Sequence, residues 1–206
     1  MSTQTGENED LNSLSFLTLG LTYLRLASNV FQETIKQGNN WMLVLDEPII
    51  DESYDEATKW SDFNIIEPTL FDFYHGLELI MKGILFLSNN AVEAQHNFRE
   101  SLNQIVLIND LQAPVKKILE EHIDISKMDS FISQFMKNNG QNNVNKLYET
   151  LRYPMDKDFR KFNDYLGLHH KEKALIQYLK KIRNDIDQLM HGVVKYYRSK
   201  TVNINN

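Results

Sequence analysis

The chain has 206 residues, 42% of them hydrophobic and 24% charged, with 8 glycines, 4 prolines and no cysteine. That balance excludes a disordered or collagen-like chain, and the length suits a single domain over residues 1–206 with a core of its own. With no thiol there is no disulfide, no thiolate metal site and no cysteine nucleophile, a usage that fits the reducing cytoplasm.

The formal net charge of −6 is unevenly spread, with −11 on residues 1–100 and +5 on residues 101–206. A basic C-terminal half suits an approach to phosphates, but no basic run exceeds two residues, and lysines at helix ends also serve simply as a solvated surface. The N-terminal MSTQTGENEDLNS is polar and acidic, unlike a signal peptide, and no apolar run is expected to reach membrane-spanning length. Residues 1–10 and 201–206 read as disordered tails.

Helical periodicity opens at Leu11 and runs to about Lys36 through Leu14, Leu17, Leu21, Leu24 and Phe31. A stretch rich in acids follows from Asp46 to Glu67, with Pro48 inside it, and reads as a long acidic loop holding at most one short helical turn. Such a loop is a candidate site for a protein partner. Pro68 suits the first turn of a second helix, Thr69 to about Leu87, which is apolar on most of its circumference and so belongs in the middle of a bundle. Gly76 and Gly83 share one face of it and admit a neighbour closely.

Shorter helices are predicted near Phe98–Ile108, Pro114–Ile125, Met128–Lys137 and Val144–Arg152, with NNGQNN as the clearest break. A last long helix runs from about Lys171 to Lys200. No strand shows sustained alternation, so the fold class is all-α, a helical bundle.

The last helix has a core stripe of Leu175, Leu179, Ile182, Ile186, Leu189 and Val193. With Ile182 at zero, Arg183, Asp187 and His191 fall at ~100°, ~140° and ~180°, a polar ridge with Asn184 beside it. A guanidinium, a carboxylate and an imidazole on one ridge have the means for acid–base work on a phosphate. The same spacing is also an ordinary solvated helix face with an Asp187–His191 pair. An apolar flank of Ile176, Met190 and Val194 beside the ridge is compatible with a helix-mediated homodimer.

The segments FYHGLELIMKGILFL, ETLRYPMDKDF and RNDIDQLMH together resemble the HEPN superfamily of helical bundles. The matching residues are Gly76, Glu78 and Lys82, then Arg152, Tyr153 and Pro154, then Arg183, Asn184 and His191, within about residues 67–200. The resemblance implies a metal-independent, cofactor-free endoribonuclease acting in defence or as a toxin, with RNA as substrate and the Arg–His motifs meeting across a homodimer. By that likeness His191 would be the general acid or base, Arg183 would stabilise charge on the phosphate, and Asn184 would orient the substrate. Glu78 would pair with Arg183, and Asp187 would support the ridge. Seven residues separate Arg183 from His191, more than in the family pattern, and one π-bulge between them would restore the angle. Other members of the superfamily are non-catalytic modules that bind a protein partner or nucleotide, which is the alternative reading.

Weaker constellations are Asp72 with His75, Glu93 with His96, Glu121-His122 and His169-His170, none of which supplies the ligand set of a bundle metal site. His75, within an apolar helix, reads as a hydrogen-bonded core residue rather than a metal ligand. Tyr148, Tyr153, Tyr165, Tyr178, Tyr196 and Tyr197 interleave with the basic half and read mainly as core and interface.

Overall fold

The computed structural model describes residues 3–41, 51–90, 92, 96–169 and 172–202. Among them eight helices form: α1 (Thr3–Gln37), α2 (Asp51–Thr58), α3 (Asp62–Leu87), α4 (Phe98–Val106), α5 (Ala113–Ile123), α6 (Ser130–Asn138), α7 (Val144–Arg152) and α8 (Glu172–Val202). A single isolated antiparallel bridge, Met155 to Phe162, lies in the α7–α8 connection. The chain is an all-α helical bundle.

The most apolar segment makes the centre. α3 is buried on most of its circumference, from Ile65 and Ile66 through Phe73, Tyr74 and Leu77 to Leu85, and it packs against α1, α4, α7 and α8. α1 runs antiparallel to it, Leu17 lying opposite Gly83 and Leu24 opposite Gly76. The approach is close because glycines line both sides. A Cβ at Gly83 would fall 2.5 Å from Leu17 Cδ2, one at Gly76 would fall 2.9 Å from Leu24 Cδ2, and one at Gly20 would fall 3.0 Å from the Ile80 nitrogen. The stripe of α8 is buried as its spacing predicts, Leu175, Leu179, Ile182, Ile186, Leu189 and Val193 all lying at or below 1% exposure.

Three expectations need correction. The first helix begins at Thr3, so most of the segment read as an N-terminal tail is helical. The window Asn12–Gln37 is also long and apolar enough to cross a membrane by length and composition alone. It carries leucines on its outer side as well, with Leu14, Leu19 and Leu26 exposed, while its inner side lies on α3. The acidic loop is largely helical where it is described. Residues 42–50, which include Asp46, Glu47 and Pro48, lie outside the described residues, but α2 occupies 51–58 and α3 starts at Asp62 rather than Thr69.

Pro68 therefore sits inside a helix. Its missing N–H deprives the Asn64 carbonyl of a partner, and both residues are exposed, so water is available to that carbonyl. The start of α3 is held from outside the helix, since the Asp62 N–H donates to Asn39 Oδ1 at 2.7 Å. Asn39 occupies a left-handed conformation just past the end of α1, with φ 57°, and thereby links the two long helices.

Polar caps punctuate the short helices. Asn97, Asp129 and Asn143 accept from first-turn N–H groups of α4, α6 and α7. The NNGQNN segment does break the chain, with Gly140 at φ 67° between α6 and α7.

The glycine-lined α1–α3 contact yields a direct test. Gly83→Val places carbon where Leu17 lies and is expected to cost about 1–3 kcal/mol of stability. Urea unfolding followed by circular dichroism should show a lower midpoint, and an unchanged midpoint would contradict the close approach.

Candidate active site

The polar ridge on α8 is present but its members do not converge. α8 is a regular α-helix throughout, with no π-turn between Arg183 and His191. The two side chains therefore originate ~12 Å apart along the axis and ~80° apart around it. Arg183 leans on α1, its Nη2 donating to Gln32 Oε1 at 3.0 Å, with its Nε buried and unpartnered. Asn184, Asp187 and His191 are exposed. The expected Glu78–Arg183 pair does not form, because Glu78 lies on a different face of α3 and has other partners.

Those partners build a denser constellation between α3, α7 and the residues entering α4. Phe71, His75, Glu78 and Lys82 follow one another at steps of four, three and four, and so lie along one side of α3. Tyr148 and Arg152, four apart on α7, face them. His96 arrives from the chain before α4, where Asn97 caps the helix and the Phe98 N–H donates to Asn145 Oδ1 of α7 at 3.1 Å. Those two bonds fix the backbone beside His96.

The Glu78 carboxylate is the hub. Its side chain is 4% exposed, yet it meets Lys82 Nζ at 2.9 Å, His96 Nδ1 at 2.8 Å from both oxygens, and His75 Nδ1 at 3.7 Å. His75 Nδ1 also shares a hydrogen bond with the Tyr148 hydroxyl at 2.8 Å. Aromatic rings wall the group: Tyr23 of α1 stands edge-on to His75, Phe71 stacks on both His75 and Tyr148, and His96 tilts against Tyr148. The Arg152 guanidinium lies over Phe71, Tyr148 and Tyr153, 5.1–5.9 Å from the ring centres.

The electrostatics follow from this packing. Burial alone would raise the Glu78 carboxyl, but the contacts of His75, Lys82 and His96, with the Lys82 charge, overcome it and hold the group at about 2. Glu78 is thus an anion at any working pH. The Tyr148 hydroxyl is pushed above its usual value, first by burial and then by the Glu78 charge, so it stays protonated. An imidazole whose Nδ1 meets a fixed carboxylate has its Nε2 free for proton transfer. His96 has that arrangement and is half exposed, while His75 is 23% exposed.

The remaining histidine clusters are tighter and more closed. His122 of α5 is buried and bonds Asp185 Oδ2 at 2.9 Å, and Lys181 bridges Asp185 at 2.7 Å and Glu121 at 2.9 Å. This group welds α5 to α8. His169 bonds Glu67 Oε1 at 2.8 Å, whereas Glu93 and His170 lie outside the described residues. Among the described residues, no three His, Asp or Glu side chains are placed to hold a metal ion.

The sequence pattern singles out Glu78, Lys82, Arg152 and Tyr153 but misses His96 as their partner. The stripe at 71, 75, 78 and 82 was the available signal on α3, as was the Tyr148–Arg152 step on α7. Nothing local marks His96, which lies in a polar string. Comparison with known proteins finds no family model that matches the chain, no similar curated protein and no similar solved structure.

The depressed Glu78 carboxyl carries a pH signature. Its native value of about 2 lies below its ordinary 4.5, so its contribution to stability is complete above the higher value and disappears as the pH falls through the lower. Thermal unfolding followed from about pH 5 down to about pH 2 should show a shallower loss of stability for Glu78→Gln than for the wild type. Parallel curves would contradict the compensated charge.

Proposed function

We propose that this chain is a metal-independent endoribonuclease whose acid–base groups are His96 and His75, not the α8 pair Arg183 and His191. One observation carries the reading: a buried, ionised carboxylate orients an exposed imidazole, with a second imidazole and a guanidinium alongside. Those are the groups that RNA cleavage without a metal requires.

In the proposed reaction His96 Nε2 takes the proton from a ribose 2′-hydroxyl, and the oxygen attacks the adjacent phosphorus. The P–O5′ bond breaks as the new P–O2′ bond forms, giving a 2′,3′-cyclic phosphate. His75, in its imidazolium form, supplies a proton to the departing 5′ oxygen. Arg152 neutralises charge on the non-bridging oxygens, and Glu78 holds His96 and balances its positive form. Tyr148 positions His75 through their shared hydrogen bond.

The HEPN-like reading of the sequence supports the same class of reaction, since its Glu78–Lys82 and Arg152–Tyr153 elements border this cluster. Both imidazoles come from one protomer, so the reaction as proposed needs no residue from a second copy. Cytoplasmic placement belongs to this reading, supported by the cysteine-free composition and by the inner side of α1 lying on α3.

The test is incubation of pure protein with mixed RNA in EDTA, comparing wild type with His96→Ala, His75→Ala and His191→Ala. His96→Ala and His75→Ala are each expected to lose about 100-fold or more in rate, with circular dichroism unchanged, while His191→Ala cleaves normally. Loss confined to His191→Ala would move the site back to α8, and a wild type that cleaves no RNA would end the proposal.

A further inference from the structure

α8 turns its core stripe inward, and the face diametrically opposite carries charge of one sign. With Asn184 at zero, Lys173, Lys180, Lys195 and Arg198 all fall within ~40° of it, and all four are exposed. Gln177, Gln188 and His191 lie on the same line and are exposed as well. From Lys173 to Arg198 the row runs ~38 Å along one continuous helix, which gives its members fixed spacings. No acidic residue of α8 lies within that arc. Asp187 stands ~60° to one side. Beyond the other edge Lys181 meets Asp185 at 2.7 Å and Glu121 at 2.9 Å.

Ordinary helix chemistry does not account for the row. A merely solvated helix face interleaves both signs, often with glutamate and lysine four residues apart. Here cations alone line the face, in a chain whose net charge is −6. Among the described residues, none of the four cations is within ion-pair distance of a carboxylate. Lys200, close by, is paired to Asp110 at 2.6 Å. Attraction to the negative end of the helix explains Lys195 and Arg198. It does not explain Lys173, the second residue of α8, where a cation is disfavoured. An extended row of uncompensated cations suits an extended anionic partner.

The rest of the face selects among polyanions. An acidic membrane is a poor match, because the apolar face that α8 would insert is already buried in the core. A single strand is a poor match too, since its binders offer rings on which bases stack. Tyr178, Tyr196 and Tyr197 of α8 all fall ~120° or more from the centre of the row. What the row does hold are cations for phosphate oxygens and neutral amides that donate to phosphates or ribose hydroxyls. We propose that the outer face of α8 docks the phosphate backbone of double-stranded RNA without reading its sequence. The choice of RNA rests on the ribonuclease reading. The row itself does not, and it shares no residue with the acid–base cluster.

The experiment follows fluorescence anisotropy of a labelled RNA duplex of about 20 base pairs. Its riboses are 2′-O-methylated, so it has no attacking hydroxyl and binding is read without cleavage. Between about 50 and 200 mM salt, wild-type affinity should fall about 100-fold, a log–log slope of about −3 to −4 for four phosphate contacts. Lys180→Gln combined with Lys195→Gln should make that slope shallower by about two and weaken low-salt binding at least about tenfold. Lys36→Gln combined with Lys59→Gln makes the same change in net charge elsewhere and should alter neither. All four positions are exposed, and circular dichroism checks that the bundle persists. This pattern in a protein that cleaves no RNA would uphold the docking face and end the ribonuclease reading. Equal losses in the two double variants would overturn the docking face. So would tighter binding of a single strand or of a DNA duplex of the same sequence, or binding of phosphatidylserine vesicles in place of the duplex. A wild type that binds no RNA duplex would overturn it whether or not the protein cleaves RNA.

Discussion

A negative charge held inside a helical bundle needs compensation from every direction, and Glu78 supplies the case around which this structure is arranged. The carboxylate sits on the most buried helix, where desolvation alone would keep it neutral. An ammonium from the next turn of α3 and imidazoles from α3 and the approach to α4 offset that penalty. Removing any one leaves the anion undercompensated, so these side chains are fixed as a group. The fixing has a chemical by-product. Imidazoles committed at Nδ1 present Nε2 in a set direction, which is a requirement for proton transfer rather than for stability.

The buried His122–Asp185–Lys181 group shows what the same residue types do when sealed. It too offsets a buried carboxylate with an imidazole and an ammonium, and burial raises the Asp185 carboxyl less than His122 and Lys181 lower it. His122, however, is 2% exposed and packed against Phe73, so no substrate atom reaches it. Solvent access, not composition, separates a structural weld from a candidate reaction centre. The α8 ridge differs in the opposite sense: its histidine is open to solvent, and its arginine is turned to Gln32 of α1.

Arg152 occupies the boundary between the acid–base cluster and the α7–α8 connection. It ends α7, lies near the Phe71, Tyr148 and Tyr153 rings and marks the point where the chain leaves the bundle for the α7–α8 connection, which Asn139 and Tyr165 fasten by hydrogen bonds. A short helix is a good mount for such a group, because Asn143 caps its start and Asn145 fastens it to α4, leaving its last turn to face outward.

Much of the architecture was legible in the chain itself. Helical periodicity, proline and glycine punctuation and the all-round apolar character of residues 69–87 identify an α bundle with α3 at its centre, and the α8 core stripe is buried residue for residue. Local rules also indicated the glycine face that admits α1. They misplaced the start of α3, because tertiary contacts through Asn39 and solvent exposure of Pro68 let a helix continue where proline suggested a beginning. They also drew attention to the α8 ridge, whose members do not converge within one protomer. Spacing along one helix says which side chains share a face, but not which faces of different helices meet. His96 becomes a partner of Glu78 only because α4 docks on α3 and α7, a long-range arrangement set by core packing and carried by no local pattern.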